Sequence, residues 1–246
     1  MYQYGLIGYP LGHSFSKRFF TEKFENEHID AIYESYPIES IQKINELIAS
    51  VELSGLNVTI PYKEQIIPFL DELDEIAAEI GAVNVIKFIR SNNSLTLKGF
   101  NTDAVGFENS LCPYLKPHHT KALILGTGGA SKAINFVLQK LGIETMYVSR
   151  TLADDRFTYF DLNEQIISDF TIIVNASPVG TFPKVNDCPS IPYQFLSDKH
   201  LLFDVVYNPA ETLFLKKGRE QGAVGLNGEQ MLVEQALAAW RIWNNL

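Results

Sequence analysis

The sequence predicts an α/β fold, and three observations support this prediction. Short apolar runs rich in β-branched residues alternate with segments of helical periodicity along all 246 residues, a pattern typical of parallel sheets with crossover helices. A glycine-rich loop that begins at Gly126 separates one such run from a helical segment. Pro113, Pro117 and the two histidines that follow mark a domain junction. A chain of this length forms one large domain or two small ones, and the junction favours two.

The first half contains five predicted strands and three predicted helices. Isoleucine and leucine recur on one side of the second helix, and Gly81 provides a usual C-terminal cap for the third. The polar residues 91–94 predict a hairpin turn, so that the last two strands form an antiparallel edge of the sheet. The strands are predicted at 4–8, 31–36, 56–60, 83–89 and 95–99, and the helices at 16–28, 38–49 and 71–80.

The second half continues the alternation. Residues 126–131 predict a tight loop, and Gly142 ends the helix that follows. The order strand, glycine loop, helix is that of a Rossmann-like unit. The strands are predicted at 122–125, 145–149, 171–175 and 201–206, and the helices at 132–141, 210–221 and 228–243.

Composition excludes several classes of function. The net charge of −9 and the pI of about 5.1 argue against a nucleic-acid partner. Cys112 and Cys188 lack the spacing of metal ligands and are expected to be reduced thiols. No signal sequence opens the chain and no apolar run reaches ~18 residues. The prediction is a cytoplasmic protein without a membrane partner.

The glycine loop predicts a dinucleotide site. Gly126 permits a tight turn, Gly128 lets the backbone approach a pyrophosphate, and the amides that open the next helix face the phosphates. The loop reads G-x-G-G-A-S and departs from the usual G-x-G-x-x-G. The alternative is a glycine turn without a nucleotide, which is common in α/β proteins. The flanking strand and helix favour the nucleotide.

The residues after the next predicted strand indicate which dinucleotide is bound. NAD-selective sites carry an acidic residue about 20 residues after the glycine loop. Arg150 stands there instead, between two hydroxyl residues, and these groups suit a 2′-phosphate. The predicted cofactor is therefore NADP. The alternative is an exposed arginine on a turn, and the nearby Asp154 and Asp155 weaken the local positive field.

Two ionisable residues follow predicted strands of the first half. Lys63 comes after the strand at 56–60, and Asp103 after the strand at 95–99. Hydride transfer to a ketone builds negative charge on oxygen, which an ammonium stabilises and protonates while a carboxylate orients it. Beside a dinucleotide unit, the two residues predict an acid–base pair for a redox reaction. Singly, Lys63 is equally explained as a solvated lysine and Asp103 as a helix N-cap.

Neutral polar residues near this pair predict a polyhydroxylated ligand. The amides and hydroxyl that could contact it belong to Asn57, Thr59, Asn84 and Asn101. Ser14 and Ser16, after the first strand, could bind a carboxylate at the start of a helix, although Ser16 is almost equally explained as an N-cap. No His, Asp or Glu cluster in the sequence predicts a metal site.

Nine motifs together resemble the shikimate dehydrogenase family. They occur in the order found in that family, from near the N-terminus to the last predicted helix. In this sequence they are Gly12-His-Ser-Phe-Ser-Lys17, Asn57-Val-Thr-Ile-Pro-Tyr-Lys63, Gly81-Ala-Val-Asn84, Gly99-Phe-Asn-Thr-Asp103, Gly126-Thr-Gly-Gly-Ala130, Ser149-Arg-Thr151, Asn175-Ala-Ser-Pro-Val-Gly180, Asp204-Val-Val-Tyr-Asn-Pro209 and Met231-Leu-Val-Glu-Gln235.

The resemblance implies reversible NADPH-dependent reduction of 3-dehydroshikimate to shikimate, a reaction of aromatic amino-acid biosynthesis. It implies that Lys63 and Asp103 are the catalytic pair. The implied substrate-binding residues are Ser14, Ser16, Thr59, Asn84, Tyr207 and Gln235. The implied cofactor-binding residues are Gly126, Gly128, Gly129, Ala130, Ser149, Arg150, Thr151, Val206 and Gly225.

The resemblance also implies two α/β domains with a cleft between them. A substrate-binding and catalytic domain at 1–103 would be completed by the C-terminal helix at 228–246, which would bring Gln235 to the site. An NADP-binding, Rossmann-like domain would span 104–227. A small-molecule substrate, no nucleic acid, and a monomer or homodimer are expected.

The sequence departs from the family pattern mainly on the cofactor side. Ser149 stands where the family more often has Asn, and Ser177 where it often has Thr. Asp154 and Asp155 occupy positions near which the family often has a basic residue, for which Arg156 is the nearest substitute. These departures bear on cofactor preference. The nearest alternative is a quinate/shikimate dehydrogenase with broader substrate or NAD use, and a second is a non-catalytic dinucleotide-binding protein.

Overall fold

The chain divides into two compact units in the computed structural model, which describes residues 1–12, 14–91 and 94–246. One unit comprises Met1–Gly106 and Leu232–Leu246, and the other Phe107–Met231. Each unit contains a six-stranded sheet. The predicted α/β fold class is confirmed.

The first unit is built on a mixed sheet. Its elements are β1 (Tyr2–Gly8), α1 (Phe15–Asn26), β2 (Ala31–Pro37), α2 (Ile44–Ser50), β3 (Gly55–Val58), β4 (Glu72–Leu73), α3 (Glu75–Ile80), β5 (Val85–Ser91) and β6 (Ser94–Phe100). The strand order is β2-β1-β3-β5-β6-β4. Only β5 runs antiparallel to its neighbours. The antiparallel pairing of β5 with β6 was expected, but the residues at the turn, 92 and 93, lie outside the described residues.

Three predictions for the first unit are wrong in detail. The helix predicted at 71–80 begins only at Glu75, because the Asp74 carboxylate accepts a hydrogen bond from the Ile76 amide and caps the helix there. The preceding Glu72–Leu73 pairs with β6, so this short strand, and not the hairpin, forms the sheet edge. The helix predicted at 38–49 begins with a single 3₁₀ turn at Ile41–Lys43.

The second unit has an all-parallel sheet. Its elements are β7 (Lys121–Leu125), α5 (Gly129–Lys140), β8 (Glu144–Ser149), β9 (Arg156–Thr158), α6 (Glu164–Asp169), β10 (Ile172–Asn175), β11 (Leu201–Asp204), α7 (Leu213–Glu220) and β12 (Val224–Leu226). The strand order is β12-β11-β10-β7-β8-β9. It reverses between β7 and β10, as in a doubly wound dinucleotide fold.

The sequence predictions for this unit missed short elements and misplaced two helix starts, one of which is that of α7, which begins at Leu213 and not at residue 210. β9, α6 and β12 were not predicted, because runs of three to six residues carry little periodicity. Helix α5 begins at Gly129, three residues before the predicted position. Two further helices, α4 (Asp103–Leu111) and α8 (Glu229–Asn244), contain the points at which the chain passes from one unit to the other.

Helix α8 covers one face of the first sheet. Trp243 is buried there, donates its Nε1 hydrogen to the Ile86 carbonyl at 3.0 Å, and stacks on Tyr4 with ring centroids 4.8 Å apart. Phe20 and Phe24 of α1 belong to the same apolar cluster. The C-terminal segment is therefore part of the core of the first unit.

Substituting Gly55 by alanine is expected to destabilise the first unit. A Cβ atom at this position would lie 2.5 Å from Cδ1 of Trp243, so the indole and its hydrogen bond must shift. Such overpacking costs about 1–3 kcal/mol. Urea unfolding measures this change, with Gly12→Ala as the control because a Cβ at Gly12 meets nothing within 4 Å. Equal midpoints for the two variants would contradict the prediction.

Cys112 and Cys188 are free thiols. In the part of the chain that the structure describes, no helix combines the length and apolar character needed to cross a membrane.

Candidate active site

Lys63 and Asp103 meet in the first unit. The Lys63 ammonium lies 2.5 Å from Oδ2 of Asp103, and the two side chains are 15% and 8% exposed. The Lys63 carbonyl accepts a hydrogen bond from the Val83 amide at 2.7 Å, which holds the turn after β3 against the start of β5. Asp103 is the first residue of α4 and the third residue after the end of β6. Two residues 40 positions apart thus form one ion pair, as the acid–base prediction requires.

Asn84 holds the other oxygen of the carboxylate. Its amide donates to Oδ1 of Asp103 at 2.9 Å and to Oγ1 of Thr102 at 3.0 Å, while its own oxygen accepts from the Thr102 amide at 2.7 Å. The carboxylate therefore receives an ammonium on one oxygen and an amide on the other. This pairing offsets part of the desolvation cost of a mostly buried carboxylate. The ammonium keeps further N–H groups for a ligand, since an ammonium has three.

The buried side chain of Tyr33 connects this pair with the start of α1. Its hydroxyl donates to Oδ1 of Asn57 at 2.7 Å and is hydrogen-bonded to Ser16. Asn57 in turn donates to the Asn84 carbonyl at 3.3 Å. Burial raises the pKa of Tyr33, so its hydroxyl stays protonated and acts as a donor. Asn57 is only 4% exposed, so it supports Asn84 from the buried side of the site.

The two serines of α1 have different positions. Ser14 is the N-cap, because its hydroxyl accepts from the Lys17 amide at 3.3 Å. Ser16 lies inside the first turn and bonds to Tyr33, so the alternative that Ser16 is an N-cap is wrong. His13, between these serines and Gly12 in the motif, lies outside the described residues.

The N-cap alternative for Asp103 is also wrong. Asp103 is the first residue within α4, and the Asn101 side chain accepts from the Ala104 amide at 3.3 Å. The Asn101 amide also donates to the Ala82 carbonyl at 2.9 Å. Asn101 therefore fixes the start of α4 and so the position of the Asp103 carboxylate.

Replacing Tyr33 by phenylalanine is expected to lower the free energy of unfolding by about 1–3 kcal/mol, because the change leaves the buried side-chain oxygen of Asn57 without its donor and removes the partner of the half-buried Ser16. Urea denaturation measures this loss. Tyr36→Phe is the matched control in the same strand, since the Tyr36 hydroxyl is only partly buried and accepts from Gln3 at 2.7 Å. A Tyr33→Phe protein as stable as this control would show that the hydroxyl contributes nothing.

The glycine loop in the second unit has the geometry of a phosphate cradle. Gly126 has φ +112°, a left-handed conformation that favours glycine. Gly128 is the N-cap of α5 and provides no side-chain cap, and a Cβ added to it would enter open space. The N-terminus of α5, which includes Gly129 and Ala130, is thus open to an anion. Ser131 replaces the third glycine of the usual pattern and donates to the Gly128 carbonyl at 2.5 Å.

A cavity of about 340 Å³ lies at the carboxyl ends of β8 and β9. Arg150 lines it, as predicted for a 2′-phosphate site. Ser149 accepts from the Thr151 amide at 3.1 Å and donates to the Thr151 carbonyl at 2.7 Å, which fixes the backbone turn around Arg150. The full set of lining residues is Ser149, Arg150, Thr158, Tyr159, Phe160 and Ser190.

Arg156 is not available as a second phosphate ligand in this arrangement. Its guanidinium forms two hydrogen bonds to the Asp155 carboxylate, Nε to Oδ1 at 2.7 Å and Nη2 to Oδ2 at 2.9 Å. The pair lowers the pKa of Asp155, so the carboxylate remains ionised and neutralises the arginine. Arg150 is consequently the arginine that the structure places at this cavity.

The remaining predicted residues are distributed over both units. Val206 and Tyr207 follow β11, and Gly225 lies in β12, all in the second unit. Thr59 directly follows β3 in the first unit, and its amide donates to the Ile7 carbonyl at 2.9 Å. Gln235 belongs to the part of α8 in the first unit, is buried, and donates to the Leu232 carbonyl at 2.9 Å.

Comparison with known proteins assigns the family. The model of the shikimate dehydrogenase substrate-binding domain matches residues 6–86. A shikimate dehydrogenase (NADP(+)) from Methanosphaera stadtmanae is 35% identical over 97% of this chain and 90% of its own length. The chain belongs to the shikimate dehydrogenase family.

Solved structures in and near the shikimate dehydrogenase family share the fold. Shikimate 5-dehydrogenase from Thermus thermophilus, solved with NADP(H) and shikimate, is 29% identical with a TM-score of 0.86, covering 100% of this chain and 94% of that one. Quinate dehydrogenase from Corynebacterium glutamicum, solved with NAD, reaches the same TM-score and coverage at 26% identity. The fold therefore does not separate the two activities.

Several residues that shape the site in this member of the shikimate dehydrogenase family were not singled out from the sequence. Thr102 bonds to Asn84, the partner of the ion pair, and Tyr33 bonds to Asn57. Thr158 and Ser190 line the Arg150 cavity. Asp204 was noted only as part of a motif, although it is wholly buried. The sequence signals for these roles are weak: Tyr33 is a tyrosine within a strand, and Asp204 is an aspartate at the end of another.

Proposed function

We propose that this protein catalyses the reversible NADPH-dependent reduction of 3-dehydroshikimate to shikimate. The observation that carries the proposal is the mostly buried Lys63–Asp103 pair, with Asn84 on the second carboxylate oxygen. A binding protein has no need of a paired proton donor, whereas reduction of a ketone requires one. Membership of the shikimate dehydrogenase family supports the choice of substrate.

In this mechanism the chain supplies the proton and the orientation of the substrate. The Lys63 ammonium donates a hydrogen bond to the ketone oxygen and then its proton as negative charge develops there. Asp103 keeps the ammonium oriented and compensates its charge, and Asn84 keeps Asp103 in place. In the oxidation direction, neutral Lys63 accepts the hydroxyl proton of shikimate.

The substrate is proposed to bind to the first unit through its carboxylate and hydroxyls. Ser14 and Ser16 at the start of α1 are proposed to bind the carboxylate, with Tyr207 of the second unit as a further contact. Thr59, Asn84 and Gln235 are proposed to bind the ring hydroxyls. The family model covers the segment with both serines and Asn84, which supports the assignment of this unit to substrate.

NADP is proposed to bind to the second unit, and when bound it supplies or accepts the hydride. The residues present fit the group: the open N-terminus of α5 suits the pyrophosphate, and the Arg150 cavity suits the 2′-phosphate. Gly126, Gly128, Gly129 and Ala130 would form the pyrophosphate cradle. Ser149 and Thr151 would flank the phosphate, with Val206 and Gly225 near the nicotinamide.

The proposal places the reaction in the cytoplasm, with a monomer or homodimer as the working form. The domain boundaries remain predictions at 103/104 and 227/228. They lie close to the points, within α4 and α8, at which the two compact units meet along the chain.

Steady-state kinetics with four substrate and cofactor pairs test the proposal. Shikimate and quinate are each oxidised with NADP and with NAD, and the four values of kcat/KM are compared. The expected preference is shikimate with NADP. Preference for quinate with NAD would support the second candidate, a quinate/shikimate dehydrogenase, which is favoured by Asp154 and Asp155 near the 2′-phosphate site. Tight NADPH binding without turnover would support a non-catalytic dinucleotide-binding protein.

A further inference from the structure

A carboxylate that pairs with no cation among the residues the structure describes is buried at the carboxyl edge of the second sheet. Asp204, the last residue of β11, has no exposed surface. Its partners are neutral donors: Asn175 at 2.9 Å and the Val206 amide at 3.0 Å on Oδ1, and the Thr212 hydroxyl at 2.6 Å on Oδ2. A buried charge held only by neutral groups is uncommon because desolvation is unfavourable. Its presence therefore calls for a reason other than stability.

The three donors come from three different segments. Asn175 ends β10, Thr212 is the N-cap of α7, and Val206 is the second residue after β11. One carboxylate thus joins the ends of two neighbouring strands to the start of a helix. All three segments lie at the edge of the parallel sheet where dinucleotides bind in this architecture.

Asn175 extends the network toward the glycine loop. Its oxygen accepts from the amide of Ser177 at 3.2 Å and from the hydroxyl of the same residue at 2.6 Å, and its amide donates to the Val179 carbonyl at 3.1 Å. The segment that it organises passes next to Gly126, where an added Cβ would lie 3.4 Å from the Ala176 carbonyl group and from Cβ of Ser177. Hydrogen bonds therefore connect Asp204 both to the segment beside the glycine loop and to Val206.

We propose that Asp204 is a positioning residue for the dinucleotide. Its carboxylate sets the relative positions of the Ala176–Val179 segment beside the glycine loop and of the Val206–Tyr207 segment at the nicotinamide. This inference rests on the proposed function, because that function places the cofactor at these segments. Asp204 itself touches neither substrate nor cofactor in this role.

The variant Asp204→Asn tests the inference because it keeps the shape of the side chain and removes the charge. Charge-assisted hydrogen bonds are about twice as strong as neutral ones, so the three segments are held less firmly and the dissociation constant of NADPH is expected to rise about 10-fold. NADPH fluorescence measures the constant without turnover. Asp169→Asn is the control, since that carboxylate is exposed and accepts only from Gln165 at 3.1 Å.

Protein stability provides the second readout. The stability of Asp204→Asn relative to the wild type is expected to rise with pH, although its NADPH affinity is expected to be lower. Burial raises the pKa of Asp204 from 3.8 to about 6, so its stabilising contribution is lost as the pH rises from about 4 to above 6. Asparagine does not titrate, and therefore the urea midpoint of Asp204→Asn is expected to gain on that of the wild type across this range. Tyr193, a titratable group on which the Asp204 charge acts, has a pKa raised mainly by burial and stays neutral.

The outcomes separate the alternatives. Weaker NADPH binding by a variant that is as stable as the wild type at pH 8, or more stable, supports positioning. Unchanged NADPH binding by folded Asp204→Asn overturns it. If that variant does not fold, Thr212→Val removes the donor to Oδ2 together with the N-cap hydrogen bond of α7, and wild-type affinity in this second variant overturns the inference as well. If wild-type protein binds NADPH but does not reduce 3-dehydroshikimate, the proposed reaction fails while the positioning test can still be read.

Discussion

Lys63→Ala is expected to lower kcat by about 10²–10⁴-fold, with a much smaller rise in KM, because it removes the proposed proton donor of the transition state. The Lys63 ammonium is the cation that the structure places on Asp103, at 2.5 Å. Steady-state reduction of 3-dehydroshikimate by NADPH measures both constants. An unchanged kcat would exclude this role for Lys63.

Lys98→Ala is the matched control for that experiment. Lys98 lies in the same unit and forms an ion pair with Glu72 at 3.3 Å, but it is away from the Asp103 carboxylate. This variant also loses a lysine and an ion pair, and its kcat is expected to remain that of the wild type. An equal loss in both variants would indicate a general effect of removing positive charge from the first unit.

Asp103→Asn tests whether Lys63 and Asp103 act as a pair. Residues that act as a unit have non-additive effects, so the double variant with Lys63→Ala is expected to be little slower than the slower single variant. Multiplicative losses in kcat would show that the two groups act independently, despite their contact.

Arg150→Ala is expected to raise the KM for NADP by about 10–100-fold and to leave the KM for NAD almost unchanged. A hydrogen bond to a charged group contributes about 1.5–3 kcal/mol, and only the 2′-phosphate of NADP can receive this one. Kinetics with saturating shikimate and each dinucleotide measure the two constants. Equal losses with NADP and NAD would mean that Arg150 does not recognise the 2′-phosphate.

Arg156→Ala is the matched control for Arg150→Ala. Its guanidinium is committed to Asp155 by two hydrogen bonds, so it contributes no free positive charge. The variant is expected to keep the wild-type preference between the dinucleotides. A loss of NADP affinity as large as that of Arg150→Ala would show that Arg156 leaves Asp155 when the phosphate binds.

The sequence was most informative where a residue type has a local consequence. Gly81, with φ +68°, ends α3 as predicted, and Gly126 makes the turn required by the phosphate cradle. Strands such as β1 and β7 were predicted because an apolar run and its boundaries lie within a few residues of one another. The three-residue strands β9 and β12 were missed because their pairing partners, distant in sequence, are what make them strands.

The site shows the same division between local and long-range information. Lys63 and Asp103 could be selected as candidates, since each follows a predicted strand and their types suit proton transfer. Their contact is set by the pairing of β3 with β5 and of β5 with β6, and by Asn84 between them. No local rule relates Tyr33 to Asn57 or Asp204 to Thr212, so these supporting contacts were not predicted.

The sequence alone determined the α/β class, the position of the glycine loop, and the motifs that identify the family, and it singled out Arg150 as the candidate for a phosphate contact. These properties depend on residue type and short spacing. Only the tertiary structure decided that Ser14 caps α1 while Ser16 bonds to Tyr33, that Arg156 is neutralised by Asp155, and that Asp204 is buried without a cation. Burial and hydrogen-bond partners are properties of the packed chain, because they depend on which distant segments exclude water from a side chain.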